Sequence, residues 1–309
     1  MNKSTRKDIR KLINECISVL KEQNCVVSEN RVVTFGNKTY PNFGWCVFLG
    51  GSGGSGKGFA LGKLIPINGK VINVDNWKKF YAKMNGMDYD SHNPEQVNQI
   101  HQAISSKKWK SKYTDNIFNS DVHTNKDRLP NVIFDMTAKN PYHDVLGLAE
   151  EAQDLGYKTM LIWVVATRHE AMIRNLQRDR RIPDRILHDT YNQLMDNMPK
   201  FLQGSYAGEC LDDAWIIFSS APNIDRSDLQ GEETKTVAVQ LQRGQRGFVI
   251  DKDTMQRLIQ YLGEKEVNPD KPQTYLSSQE VADKYGTPNE KGGYNIDRKK
   301  LDLDKKLYR

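Results

Sequence analysis

Nowhere in the 309 residues does an apolar run approach the ~20 residues a helix needs to cross a bilayer, and mean hydropathy is −0.70. A helical membrane protein is excluded on that ground. Substantial polar loops or tails are expected, since hydrophobic residues make up only 38%. Cysteine is scarce. Cys16, Cys25, Cys46 and Cys210 fit no zinc spacing, and buried free thiols are expected rather than a disulfide framework. The six histidines are dispersed, form no pair at metal-ligand spacing and receive no role. A strong charge of one sign is missing too. The net +6 and pI of about 8.9 suit an anionic substrate but fall short of a dedicated nucleic-acid binder. There is no internal repeat. The basic opening, Met1-Asn2-Lys3-Ser4-Thr5-Arg6-Lys7, has no apolar segment behind it, so no signal peptide is read there and a cytoplasmic location is expected.

What the chain does have is Gly50-Gly51-Ser52-Gly53-Gly54-Ser55-Gly56-Lys57-Gly58. The apolar run Trp45–Leu49 before it reads as a buried strand, and Phe59–Leu64 after it can open a helix. Strand, glycine-rich loop and helix are the context of a phosphate-binding loop, and Gly51 with Gly56-Lys57 fits G-x-x-x-x-G-K. Glycines let successive N–H groups converge on an anion, and the helix N-terminus adds partial positive charge. Gly51, Ser52, Gly53, Gly54, Ser55, Gly56, Lys57 and Gly58 are therefore the expected nucleotide-binding residues, with Lys57 on the outer phosphates. A Gly/Ser linker is the bland alternative, and it gives no reason for the flanking strand and lysine-led helix.

The loop resembles that of P-loop kinases, which implies ATP and Mg²⁺ as cofactors. One position departs from the pattern. The Ser or Thr whose hydroxyl holds the metal is replaced by Gly58, with Phe59 next. Adenylate kinases also carry glycine there, followed by Thr, which is absent here. The metal is then expected on phosphates, water and acidic side chains elsewhere.

Residues 1–43 read as an accessory element. Ile9, Leu12, Ile13, Cys16, Ile17 and Leu20 recur at helical spacing, and Val32–Tyr40 reads as a hairpin with a Gly-Asn turn. Residues 44–225 read as the core. Lys70–Val74 is a second strand ending at Asp75, Asn131–Asp135 a third, Thr159–Val165 a fourth and Ala214–Phe218 a fifth, with helices between. The fold class expected is a three-layer α/β/α P-loop NTPase type with a five-stranded, mainly parallel sheet and N- and C-terminal extensions. In such sheets ligands sit beyond the carboxyl ends of the strands. Asp75 can there act as a base or metal ligand, or cap the following helix. Asp135 sits where a Walker B acid holds Mg²⁺ and is the expected metal residue. Thr137 and Lys139 can also offer groups to bound phosphates.

Helices of about 142–155, 168–178 and 184–198 are expected, the last two joined by an arginine-rich turn broken at Pro183. Forked guanidinium groups match the spread charge of phosphoryl transfer. Arg178 and Arg181 are the preferred catalytic arginines; Arg174, Arg180 and Arg185 are second choices, and a solvated helix face with Arg–Asp pairs is the alternative. Lys107-Lys108-Trp109-Lys110-Ser111-Lys112-Tyr113 could bind a phosphate backbone and stack a base, or be only a solvated helix end. The loop 219–223 is a weak cofactor candidate. Beyond residue 225, Val237–Leu241 and Gly247–Ile250 are short strand candidates and Asp253–Leu262 a helix. Residues 264–309 read as a polar, extended or partner-bound tail with one small helix in Tyr275–Tyr285.

The order of these features resembles one branch of P-loop kinases: phage polynucleotide kinases, zeta toxins and chloramphenicol phosphotransferases. Val74-Asp75-Asn76-Trp77 matches the position of their general base, and Arg174-Asn175…Arg178…Arg181-Ile182-Pro183 looks like the lid run of polynucleotide kinases, covering a lid around 174–185. The resemblance spans roughly residues 44–225. It implies an ATP-dependent phosphotransferase acting on a hydroxyl, with Lys57, Asp75, Arg178 and Arg181 as catalytic residues. The anionic acceptor would be a nucleic acid, modified base, nucleotide or sugar nucleotide. The alternative is a nucleotide-binding structural or regulatory protein with little catalysis, and the missing hydroxyl and long C-terminal extension motivate it.

Overall fold

The computed structural model of the chain describes residues 32–35, 38–41, 44–65, 67–87, 94–106, 129–178, 181–219, 238–262, 278–290 and 292–301. The helix expected in residues 9–20 and the Lys107–Tyr113 stretch lie outside them. In chain order, β1 (Val32–Phe35) and β2 (Lys38–Pro41) pair antiparallel with Phe35 opposite Lys38, which leaves two residues between the strands. Then come β3 (Trp45–Gly50), α1 (Lys57–Phe59) continued by a π-helical turn (Ala60–Leu64), β4 (Lys70–Asn73), α2 (Val74–Met84) and α3 (Pro94–Ser106). The middle of the chain holds β5 (Val132–Asp135), α4 (Pro141–Asp144), α5 (Leu146–Asp154), β6 (Lys158–Val165), α6 (Arg168–Leu176), α7 (Asp184–Gln203), α8 (Ser205–Cys210) and β7 (Asp213–Phe218). The last part holds β8 (Ala238–Gln240), β9 (Gln242–Arg243), β10 (Phe248–Val249), α9 (Lys252–Leu262), α10 (Ser278–Tyr285), β11 (Gly286–Pro288) and β12 (Tyr294–Ile296).

The central sheet has the order β4-β5-β3-β6-β7-β8, parallel throughout except for β8. The five strands expected from the sequence are all there, and β8 adds a sixth on the far edge. A buried carboxylate explains its docking. Asp213, at the start of β7, accepts two 3.0 Å hydrogen bonds from Gln240 Nε2, so burial leaves it satisfied.

Alternation along the strands divides the core into two layers. Cys46, Phe48, Phe134, Leu161, Trp163 and Ile216 face a cluster built with α5 to α9, including Ala149, Ile173, Leu194, Phe201 and Leu258. Val47, Leu49, Ile133, Met160, Ile162 and Ile217 face the other side, where Ala60 and Leu64 of the π-turn, Ile65 and Ile67 cover them. Both faces are therefore dry, which is why β3, β6 and β7 read as unbroken apolar runs. Phe48 and Phe134 stack at 5.5 Å, and truncating either to Ala would cost about 3–5 kcal/mol. Cys46 and Cys210 are buried free thiols.

Three expectations change. The strand expected over 70–74 closes at Asn73, and Val74-Asp75 already belong to α2, because Asn73 pairs with Asp135, the last residue of β5, and the ladder runs out there. The helix expected over 142–155 is broken at Val145, whose side chain is buried in the core. Residues 286–290 and 292–301, expected as part of an extended tail, are ordered on the core. β11 and β12 form a hairpin, and Val281, Ala282, Tyr285, Ile296 and Leu301 are buried in the main core.

The amino ends of the strands are tied together. Asn131 is buried, accepts a 2.9 Å hydrogen bond from the Trp45 N–H and donates a 3.0 Å one to the Asn68 carbonyl. The carboxyl ends are left for the loops described next. No helix among the described residues is long and apolar enough to cross a membrane.

Candidate functional site

The phosphate loop leaves β3 at Gly50 and reaches α1 at Lys57. Two of its glycines are required by their surroundings. Gly51 has φ +148, and a Cβ there would lie 2.5 Å from the Val164 carbonyl oxygen. Gly54 has φ +77, and its Cβ would lie 2.2 Å from the Ala171 carbonyl oxygen, so α6 packs directly on the loop. Gly58 is the opposite case. It is exposed, helical, and has nothing within 4 Å of a Cβ position, so packing does not account for the missing hydroxyl.

Lys57 folds back over the loop. Its Nζ donates to the Gly51 carbonyl at 2.6 Å and the Ser52 carbonyl at 3.2 Å, and lies 4.0 Å from Asp135 Oδ1. The sheet register explains the meeting. Asp135 stands opposite Leu49 on one side and Asn73 on the other, one step below the loop. Asn73 Nδ2 donates to Asp135 Oδ2 at 2.6 Å and fixes the carboxylate so that Oδ1 faces the lysine. The sequence reading missed Asn73, although its place at the end of a parallel strand beside Asp135 was the available signal. Beyond β5 the pairing continues irregularly. The Gly51 N–H donates to the Thr137 carbonyl at 3.0 Å, and Ala138 takes a left-handed φ of 53° beside the loop. The Thr137 and Lys139 side chains are exposed.

α6 supplies the second wall. Thr167 caps it, accepting from the Glu170 N–H at 3.1 Å. Thr-x-x-Glu matches a capping box, but the Glu170 carboxylate turns elsewhere. It accepts a 2.7 Å bond from Arg174 Nε and a bidentate pair at 2.9 and 3.0 Å from Arg298. Burial pushes this carboxyl up, and the two guanidinium groups outweigh that, holding it below the usual glutamate value. The rest of Arg174 reaches the phosphate loop. Nη1 donates to the Gly54 and Ser55 carbonyls at 3.4 Å each and to Ser219 Oγ at 3.0 Å; Nη2 donates to the Ser219 carbonyl at 2.8 Å. Ser219 Oγ in turn donates to the Ser55 carbonyl. One guanidinium thus joins the loop after β3 to the loop after β7. Tyr191 of α7 lies beneath, its phenol donating to the Ala166 carbonyl at 3.2 Å and pushed up to about 12 by burial.

The arginine turn is shaped by Asn175. Its Nδ2 donates to the Ile182 carbonyl at 2.7 Å, and its Oδ1 accepts from the Ile182 N–H at 2.9 Å. This pair of hydrogen bonds ties Ile182 back to the end of α6, and Ile182 Cδ1 lies 2.4 Å from the Cβ position of Gly53. Arg178 and Arg181 are exposed. Arg181 lies over the Tyr294 ring at 5.2 Å, with Nη2 3.5 Å from the Gly292 carbonyl. Of the arginines read from the sequence, the structure brings Arg174 onto the loop after β3, whereas Arg178 is exposed and Arg181 lies against Tyr294 and Gly292. Arg185 is exposed in the first turn of α7, and Arg180 lies outside the described residues. The Asp75 backbone follows β4 directly, in the first turn of α2; its side chain is outside the described residues, as are residues 220–223.

Among the described residues no three His, Cys, Asp or Glu side chains gather into a metal cage. A Mg²⁺ carried on a triphosphate needs only one or two protein carboxylates, and Asp135 beside Lys57 fits that demand.

No family model matches the chain, and no curated protein matches it either. Solved structures do. The chain is similar to AvrRxo1-ORF1:AvrRxo1-ORF2 crystallised with sulphate ions (TM-score 0.50, 15% identity, 76% of this chain and 66% of that one). It is similar in the same degree to AvrRxo1-ORF1:-ORF2 crystallised with ATP (TM-score 0.51, 16% identity, 74% and 66%). A structure of the PezAT chromosomal toxin-antitoxin system of Streptococcus pneumoniae matches at a TM-score of 0.41 and 14% identity. This chain spans 66% of the length of the AvrRxo1 chains, and at these identities the likeness is one of fold. A parallel sheet covered on both faces, with the phosphate loop leaving its central strand β3, makes this an α/β protein of the P-loop kinase-like fold.

Proposed function

We propose that the chain is an ATP-dependent phosphotransferase that moves the γ-phosphate to a hydroxyl on an anionic acceptor. The observation that carries the reading is the placement of Lys57 Nζ, held by two loop carbonyls and 4.0 Å from the Asp135 carboxylate at the carboxyl end of a parallel sheet. A triphosphate entering the loop would take the Lys57 ammonium from the Gly51 and Ser52 carbonyls onto its outer oxygens. The loop N–H groups and the α1 N-terminus would bind the inner ones. Asp135 would hold Mg²⁺, which neutralises phosphate charge when bound. Asp75 would accept the acceptor's proton, and Arg178 with Arg181 would steady the moving phosphoryl group once the turn swings over the loop. The fold likeness to a protein crystallised with ATP supports the choice of nucleotide. The acceptor class read from the sequence remains a nucleic acid, modified base, nucleotide or sugar nucleotide.

The test is transfer of label from γ-labelled ATP with Mg²⁺ to DNA, RNA, nucleotides and sugar nucleotides, with Lys57→Ala as control. Label on one acceptor, lost in the control, is expected. ATP binding with label left on ATP against every acceptor would favour the non-catalytic alternative. Full activity in Asp75→Asn would remove Asp75 from the mechanism.

A further inference from the structure

The C-terminal segment contacts the nucleotide side of the molecule at three points. Arg298 makes a bidentate pair with Glu170 at 2.9 and 3.0 Å. Gly293 is seated on the end of α6, where a Cβ would come within 3.0 Å of the Leu176 carbonyl oxygen and 2.9 Å of that of Arg178. Gly292 and Tyr294 hold Arg181. α10 packs along α6, and the Asp297 N–H donates to the Tyr285 carbonyl at 2.8 Å, so helix and hairpin form one element. Glu170 is the junction. The same carboxylate holds Arg174 Nε at 2.7 Å, and Arg174 spans the Gly54, Ser55 and Ser219 carbonyls.

We propose that residues 278–301 are a positioning element for the phosphate loop, with Arg298 and Glu170 as positioning residues that act through Arg174. The proposal rests on the nucleotide-binding reading above and names its control element. Without Arg298, Glu170 keeps one guanidinium partner. Its carboxylate is then free to turn toward solvent, and Arg174 loses the fixed anchor that aims its other two nitrogens at the loop carbonyls. Those carbonyls set the direction of the neighbouring N–H groups, so a loosened Arg174 blurs the anion cradle. A planar bidentate pair suits this task better than a lysine, which is a point charge on a flexible stem. A purely structural role would have been met by the buried Val281, Ala282, Tyr285, Ile296 and Leu301 alone.

The experiment uses the full chain and Arg298→Ala, an exposed position whose truncation opens no cavity. Amide hydrogen exchange of the nucleotide-free protein is read over residues 50–58, and affinity is read with a fluorescent ATP analogue. Faster exchange in the loop, about fivefold weaker binding and a melting midpoint lowered by no more than about 5 °C are expected, a smaller loss than in Arg174→Ala. Arg298→Lys should recover only part of the affinity. In an Arg174→Ala background the Arg298→Ala change should have no further effect on either readout, because the relay is already cut. Unchanged loop exchange in Arg298→Ala, or a full additional effect in the Arg174→Ala background, would overturn the proposal. Should wild type and Lys57→Ala both fail to bind the analogue, the nucleotide reading falls, and the exchange data still decide the relay.

Discussion

Arg174 and Arg181 belong to the same arginine-rich run and have opposite surroundings. Arg174 is largely buried, paired with Glu170 and bonded to carbonyls from two loops. Arg181 is exposed, touching an aromatic face and one carbonyl at 3.5 Å. The first is assembled before any ligand arrives, so its desolvation and ordering are already offset by fixed bonds. The second makes weak contacts, which on the proposed mechanism would be exchanged for a phosphate oxygen. For the phosphotransferase proposed here, which would bind first and transfer afterwards, that division would supply a rigid cradle and an adjustable cover.

The largest effect is expected for Lys57→Ala, which serves both halves: transfer of labelled phosphate should fall about 100-fold or more with the fold retained. The arginines should then separate. Arg174→Ala leaves Glu170 short of a partner and loop carbonyls bare, and should lower stability by about 2–4 kcal/mol while weakening ATP binding. Arg181→Ala should leave the melting midpoint and ATP affinity near wild type and lower kcat about tenfold or more. Equal effects of the two on binding would erase the distinction between cradle and cover. Gly54→Ala tests the cradle by backbone alone. With φ +77 and the Ala171 carbonyl in the way, it should cost about 2–3 kcal/mol, read as a lowered urea midpoint.

Glu170 titrates below its ordinary value in the folded chain, so it binds a proton less readily than when unfolded. Its stabilising contribution is complete above the ordinary glutamate pKa and is lost as pH falls through the lowered folded value. The stability gap between wild type and Glu170→Gln should therefore close as pH drops from about 5 to about 3, in a series of thermal melts. Gly58→Ser should have the smallest effect on the fold. The position is helical and open, so the melting midpoint should stay within about 2 °C, while the new hydroxyl should lower the Mg²⁺ concentration needed for ATP binding.

Much of this was legible in the chain. Trp45–Leu49 before Gly51-x-x-x-x-Gly56-Lys57 announced a central strand and its loop, because a strand buried on both faces must be apolar throughout and a phosphate cradle must be rich in glycine. Asp135 was placed by the rule that ligands lie beyond strand ends, and the Glu170–Arg174 pair stands at the four-residue spacing that helices bring together. Local periodicity carries such information. Which arginine of the run would reach the loop was not legible, since Arg174, Arg178 and Arg181 are chemically alike and their directions depend on where Asn175 folds the turn. Nor was the role of residues 286–301, which lack an apolar run. Gly293 and Arg298 matter through carbonyls and a carboxylate more than 100 residues away, and that pairing exists only once α10 has buried its apolar face against α6. Short-range pattern was enough for the fold class and for the glycine-rich turn between β3 and α1; which charges meet depends on distant backbone brought together by the core.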